Sequence, residues 1–85
     1  MNNNDITRQI IRQLAQEKLE FKSSVHISRD YIEREGKAYV QVLQDKQCKF
    51  HILCEPTDEA LSETEDMVSE ELSQLGYKVD RRFLN

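Results

Sequence analysis

The stretch AYVQVLQDKQCKFHILCE, residues 38–55, decides the fold. Apolar residues recur at every second position on both sides of its short polar segment DKQ. Successive side chains of a β-strand point to opposite faces, so this period of two predicts two strands. The polar segment is short enough for a tight turn, which makes the two strands antiparallel neighbours. We therefore expect a hairpin at the centre of the chain.

The residues before this hairpin predict one more strand and a helix. Residues 23–33 again alternate with a period of two, and the stretch EREGK supplies the turn into the hairpin. Residues 5–21 instead place apolar side chains at helical spacing, which predicts an amphipathic helix. The predicted apolar stripe of this helix contains Ile6, Ile10, Leu14 and Phe21, with Ile11 beside it and Leu19 nearly opposite.

The residues after the hairpin predict a second helix and a fourth strand. Pro56 ends the third strand, and Thr57 is suited to cap the helix that follows. Gly76 fits the left-handed position just beyond the helix, with Tyr77 folding back onto the last turn. Residues 77–84, YKVDRRFL, then alternate as a strand. The predicted apolar stripe of the second helix contains Leu61, Val68, Leu72 and Leu75.

These elements define an α+β fold with the order α-β-β-β-α-β. We expect an antiparallel three-stranded meander plus a fourth strand, with both helices packed on one sheet face. Residues 1–4 are expected to be disordered and residues 5–85 to form a single small domain. No apolar run approaches the roughly 18 residues of a membrane span, and the first residues, MNNNDITRQ, lack the apolar core of a secretory signal. We therefore expect a soluble cytoplasmic protein with no membrane partner.

The stretch CKFHILC, residues 48–54, raises the question of a metal or redox site. On a strand, Cys48 and Cys54 share one face while His51 points to the other, so they cannot bind one ion together. The two cysteines are about 20 Å apart along a strand, too far for a disulfide. We expect both thiols to be reduced and buried, and we predict no metal site and no cofactor. His51 would lie near His26 only if the first and third strands were neighbours.

The sequence contains no strong enzymatic motif. Its two glycines fall in a hairpin and at a helix end, so there is no Gly-rich phosphate loop. The element order is also that of the restriction-endonuclease-like core, which pairs an acidic residue with an acidic-x-Lys triplet at a metal site. Asp30 with Glu35, Gly36 and Lys37 is the nearest approximation, but this triplet falls in a turn. We predict no catalytic residues, and a minimal metal-dependent nuclease remains an alternative.

Charge is segregated along the chain. The net charge is −4, and residues 51–77 contain eight acidic residues and no lysine or arginine. Four of these recur at helical spacing opposite the apolar stripe of the second helix, and we call them the acidic line: Glu59, Glu63, Asp66 and Glu70. Such a line is typical of a solvated face or of a docking surface for a basic partner.

The density of the acidic line bears on nucleic-acid mimicry. Four carboxylates over this length give one charge per about 4 Å of helix, against one per about 1.7 Å of duplex DNA. A DNA-mimic inhibitor would therefore need further acids from elsewhere or from a second subunit, and it stays an alternative. Direct nucleic-acid binding is disfavoured, because the acids at the start of the second helix would repel phosphate.

The sheet face without helices is the second candidate surface. Apolar residues predicted on it are expected to form an interface patch, and they include Ile32, Tyr39, Leu43 and Leu53. We therefore expect a small non-enzymatic regulatory or interaction protein, with an inhibitor among its possible roles. It would bind a basic protein partner through the acidic line or through this sheet face, as a homodimer or a small subunit.

Overall fold

The computed structural model describes residues 3–21, 24–32 and 35–81, apart from the side chains of Asn3 and Ile32. The elements follow the predicted order α-β-β-β-α-β. The predicted disorder of residues 1–4 stays a prediction for residues 1 and 2, which lie outside the described ranges, whereas residues 3 and 4 belong to the first helix. The elements are α1 (Asn3–Lys18), β1 (Val25–Ile32), β2 (Lys37–Gln44), β3 (Gln47–Cys54), α2 (Asp58–Gln74) and β4 (Val79–Asp80).

The sheet has the strand order β3-β2-β1-β4. β2 pairs antiparallel with both β1 and β3, which confirms the predicted meander. β4 joins β1 in parallel, because α2 carries the chain back across the sheet before β4 begins. The sheet is therefore mixed, and the α+β fold with both helices on one face is confirmed. Since β2 separates β1 from β3, His26 and His51 do not lie on neighbouring strands.

The β2–β3 hairpin turn has two residues with left-handed backbone conformations. Asp45 has a φ of 54° and Lys46 a φ of 66°, although neither is glycine. Positive φ at both positions is what a type I′ turn requires, and this turn follows the right-handed twist of the strands it joins. Gln44 and Gln47 pair across its base. The turn thereby sets the register of the hairpin.

Both ends of α2 have the predicted caps. The Thr57 hydroxyl accepts a hydrogen bond from the Ala60 N–H at 3.1 Å. At the other end Gly76 has a φ of 99°, and the Tyr77 N–H donates to the Leu72 carbonyl at 3.0 Å. This pattern satisfies carbonyls that the helix itself leaves free. The Tyr77 backbone therefore folds back onto the last turn as predicted, while its buried side chain donates a hydrogen bond to the Ala15 carbonyl of α1 and stacks on Phe21.

The core lies between the helices and the covered face of the sheet. The predicted stripe of α2 is confirmed, because Leu61, Val68 and Leu72 are fully buried and Leu75 is partly buried. The sheet covers this stripe with its own inward residues, Val25, Ile27, Ala38, Val40, Val42, Phe50 and Ile52. These residues alternate with a period of two along each strand, as the sequence predicted.

The predicted apolar stripe of α1 is wrong. Ile6 and Ile10 are each 46% exposed and Phe21 is 72% exposed, whereas Leu19 is buried. The physical reason is the position of α1, which packs mainly against α2 and β3, near the β3 edge of the sheet. That position covers a different strip of the helix, and this strip contains Ile11, Ala15 and Leu19, with Leu14 partly buried.

The prediction of two buried thiols is wrong for Cys48, which is exposed, and only partly confirmed for Cys54, which is half-buried. The strand register shifts, because Val42 pairs with Phe50 while Leu43 pairs with Cys48. One extra residue, Lys49, forms a bulge, and a shift by one residue moves a side chain to the other sheet face. Partial removal of each thiol from water raises the pKa of both cysteines, and the nearby Asp30 carboxylate adds to this at Cys48.

Candidate functional site

The sheet face opposite the helices is not covered by any element among the described residues. Along β2, buried residues alternate with half-exposed ones, so the side chains between the core positions point to this face. The strand register places Leu53 directly beside Tyr39, and His51 directly beside Gln41. We call this surface the open face, and its central residues are Tyr39, Gln41, Leu43, His51 and Leu53.

Apolar and polar residues interleave on the open face. Tyr39 and Leu53 are adjacent, but Leu43 lies beyond the Gln41–His51 pair. Leu53 is 56% exposed, whereas Tyr39 and Leu43 are more deeply buried. Of the four predicted patch residues, the structure brings Tyr39 and Leu53 together, separates Leu43 from them, and does not describe the side chain of Ile32.

The polar groups of the open face bind one another. The rings of Tyr39 and His51 meet edge to face with their centroids 4.8 Å apart. The Gln41 side-chain amide donates to the Asp30 carboxylate at 3.0 Å. These four residues line a shallow depression in the middle of the sheet. Near β4, the imidazole of His26 and the Asp80 carboxylate are 3.7 Å apart.

The acidic line is exposed along α2, as its spacing predicted, but half of it is paired with arginines. Asp66 lies 2.9 Å from the Arg81 guanidinium, and Glu70 lies 3.0 Å from that of Arg8. No ion pair involves Glu59 or Glu63 within residues 3–21, 24–32 and 35–81. Unpaired negative charge is therefore concentrated in the first half of the helix.

A second set of carboxylates, which the sequence pattern did not predict, lies on the inner side of α2. Glu71 is only 2% exposed and contacts the guanidinium groups of both Arg8 and Arg12. The hydrogen bond from Arg12 lowers the pKa of Glu71, burial opposes this change, and the hydrogen bond from Arg8 lowers the pKa further. Two arginines from α1 thus bind one buried carboxylate of α2.

Glu65 is the other inner carboxylate, and it is 1% exposed. Its side chain contacts Arg29 of β1 and lies 3.7 Å from Arg81, which follows β4. One signal in the sequence pointed to this pair. Arg29 has the same parity as the inward residues Val25 and Ile27, and a charge on the inner side of a sheet needs a partner.

The charged residues of the nuclease alternative bind another side chain or each other. Asp30 accepts the hydrogen bond from Gln41, and Glu35 lies 3.7 Å from Lys37 in the β1–β2 connection. Within the described ranges, no three histidine, cysteine or acidic side chains lie close enough together to hold a metal ion. This arrangement gives the nuclease alternative no support.

Comparisons with protein-family models, with curated proteins and with solved structures give no significant match. Neither α1 nor α2, the helices of the described part of the chain, is long and apolar enough to cross a membrane. Function is therefore inferred from the geometry and charge of the two surfaces.

Proposed function

We propose that this protein is a small non-enzymatic interaction protein, acting as a regulatory subunit or inhibitor, that binds a protein partner through its open face. One observation carries the proposal. Leu53 is 56% exposed beside Tyr39 on a sheet face that no described element covers. Covering a leucine removes apolar area from water, which stabilises a complex by about 25 cal/mol per Å².

The composition of the open face fits a protein partner. Tyr39 and Leu53 form an adjacent apolar pair, and the polar residues His51, Gln41 and Asp30 lie beside it on the same face. An apolar centre with a polar rim is the usual anatomy of a protein interface, and tyrosine is enriched at such centres. The expected partner offers an apolar side chain to Leu53 and hydrogen-bonding groups around it.

The acidic line supplies a second contact at the end of β3. Leu53, Glu55 and Glu63 line one groove between β3 and the start of α2. A partner that covers Leu53 from this side would meet the unpaired half of the acidic line. We therefore expect basic residues next to the apolar side chain of the partner, because opposite charges speed association and set orientation.

The pairing of Asp66 and Glu70 with arginines weakens the DNA-mimic alternative. Within the described residues these ion pairs leave only Glu59 and Glu63 of the acidic line without a basic partner, and the line was already sparser than duplex DNA. The protein-partner proposal needs only Glu63 and its neighbours, so it is the better supported of the two.

Affinity capture of the tagged protein from its host, followed by mass spectrometry, tests the proposal when variants are compared. Leu53→Glu should weaken binding of a captured partner by roughly tenfold or more, because it places a charge in the apolar centre. Gln16→Glu adds the same charge to an exposed position on α1 and should leave binding unchanged. If both variants capture the same proteins as the wild type, the open face is not the binding surface.

A further inference from the structure

We propose that β3 is a dimerisation edge. Two copies of the chain pair their β3 strands antiparallel about a twofold axis, which makes one continuous eight-stranded sheet. The α1 helices of the two copies pack against each other on the covered side of this sheet. This inference concerns a different surface from the open face, and it does not depend on the proposed function.

The outer side of β3 is a free strand edge among the described residues. β3 is the last strand of the sheet order β3-β2-β1-β4. In a two-residue hairpin the residues that flank the turn, Gln44 and Gln47, form a backbone hydrogen-bonded pair. Because bonding alternates along a strand, the backbone groups of Val42 also point towards β3, where its partner is Phe50. By alternation, His51 and Leu53 direct their backbone N–H and C=O groups outwards. Such unpaired groups are a template for another strand.

An exposed apolar stripe of α1 lies on the same side of the molecule. Arg8 faces α2, where it binds Glu71. Ile6 precedes Arg8 by two residues, and Ile10 follows it by two. Two residues correspond to about 200° around a helix of 3.6 residues per turn, so each isoleucine lies about 160° from Arg8 by the shorter way. Because α1 packs beside α2 and over β3, the side turned away from α2 is the side of the β3 edge. Both isoleucines are 46% exposed there.

Charge is scarce on both parts of this surface, although 33% of all residues are charged. Lys49 is the only lysine, arginine or acidic residue in β3. On the outward side of α1, Glu17 is the only charged residue, and the others are Ile6, Ile10, Gln13 and Leu14. Depletion of charge is typical of the centre of an interface, and the two remaining charges have opposite signs.

The lengths and directions of β3 and α1 fit one twofold axis. The helix has 16 residues and the strand has 8, so they span about 24 Å and about 26 Å. α1 runs antiparallel to β3, because Thr7 lines a groove with Leu53, while Glu20 bonds to the side chain of Gln44 beside the start of β3. Paired strands lie about 4.8 Å apart and packed helices about 8–10 Å apart. A twofold axis through the middle of β3 therefore brings the Ile10 side chains of the two copies together.

A second copy explains this surface better than an unrelated strand does. A strand from another protein would satisfy the β3 edge but leave the isoleucines of α1 exposed. A second copy covers both, because a twofold interface buries the same patch on each subunit. A standard interface buries about 800 Å² per partner, about one seventh of the 5929 Å² that this chain exposes. A domain of this size also gains most from such extra burial.

Sedimentation equilibrium of the purified protein tests the β3 edge. The wild type should sediment at twice the chain mass. His51→Pro removes an outward N–H without removing a hydrogen bond to β2, and it should make the protein monomeric. His51→Ala is the matched control, because it removes the same imidazole but keeps the N–H, and it should stay dimeric. A dimer that His51→Ala disrupts would instead use the open face, which would overturn the proposal.

A second variant tests the helix part of the interface without touching the strand. Ile10→Lys should weaken dimerisation by roughly 100-fold, because it buries a charge between the two α1 helices. Gln16→Lys adds the same charge at an exposed position of α1 outside the stripe and should leave the dimer intact. Circular dichroism and thermal unfolding check that each variant folds. A wild type that is monomeric at every concentration, or a dimer that Ile10→Lys leaves unchanged, overturns the proposal.

Discussion

The inner and outer carboxylates of α2 have the same chemistry and opposite environments. Glu65 and Glu71 are 1% and 2% exposed, and each contacts two arginines. Glu59 and Glu63, on the same helix, are exposed, and no arginine or lysine of the described residues pairs with them. The difference shows that position around the helix, not residue type, separates carboxylates that hold the fold together from carboxylates that are free to meet a partner.

The inner carboxylates connect elements that are far apart in the chain. Glu71 binds Arg8 and Arg12 of α1, and Glu65 binds Arg29 of β1. A buried carboxylate without such partners would be unfavourable by several kcal/mol, so these contacts specify how the helices and the sheet pack. The acidic segment of the sequence is therefore neutralised in part by the rest of the molecule, and its free charge lies on one side of α2.

The largest expected effect is that of removing an inner carboxylate. Glu71→Ala should lower the free energy of unfolding by about 2–4 kcal/mol, because it leaves two arginines without their acceptor and a gap beside α1. Glu63→Ala removes the same side chain from the outer surface and should change it by less than about 0.5 kcal/mol. Urea denaturation of both variants measures the difference. Equal effects of the two substitutions would show that inner and outer carboxylates are equivalent.

A pair of double-mutant cycles sharpens the same comparison. The inner pair Arg29–Glu65 should have a coupling free energy of about 1–3 kcal/mol, since burial shields it from water. The outer pair Arg81–Asp66 should couple by about 0.2–1 kcal/mol, because both side chains are largely exposed. Denaturation of the single and double variants gives both values. A stronger coupling for the outer pair would contradict the assignment of Glu65 as the structural partner.

The pH dependence of stability provides a third comparison. Because the pKa of Glu71 is lowered in the folded protein from its ordinary value of 4.5, the unfolded chain takes up the proton first on acidification. The stabilisation from Glu71 is therefore complete above pH 4.5 and is lost as the pH falls through the lowered pKa. The wild type should exceed Glu71→Gln in stability by a constant amount at neutral pH, and this difference should shrink on acidification below pH 4.5. A difference that grows in acid would reverse the sign of the linkage.

The smallest expected effect on stability belongs to the outer carboxylates. Replacing Glu59 and Glu63 with glutamine should change the free energy of unfolding by less than about 0.5 kcal/mol, because the relief of repulsion between residues four apart is offset by the loss of the Glu59 charge at the positive end of the helix dipole. The same double variant should slow association with a basic partner and reduce the salt dependence of binding.

The matched control for that double variant is the replacement of Asp66 with asparagine and Glu70 with glutamine. These charges are already paired with Arg81 and Arg8, so this control should lower stability by about 0.2–1 kcal/mol and affect association less. Stopped-flow binding at several salt concentrations separates the two variants. Wild-type association rates for the Glu59 and Glu63 variant would show that the acidic line is only a solvated face.

Local sequence patterns predicted the type of each helix and strand, which residues share a face of a strand, and the caps of α2. The alternation of residues 38–55 predicted the hairpin and placed Tyr39, Leu43 and Leu53 on the side away from the core, because a strand has a period of two. Thr57 and Gly76 predicted both ends of α2, since caps depend on neighbouring residues in the chain. The exposure of the acidic line followed from helical spacing in the same way, while its role in binding stays a prediction.

The tertiary structure alone decided the features that depend on contacts between distant residues. Whether Cys48 faces the core depends on one extra residue in β3. A bulge interrupts the period of two, and the pattern of apolar residues in the sequence does not reveal where it falls. Which side of α1 is buried depends on where that helix lies on the sheet, so Leu19 is covered and Ile10 is not. Arg8, Arg12 and Arg29, which bind the inner carboxylates of α2, are 36 or more residues away from them in the chain, and only the folded chain brings those charges together.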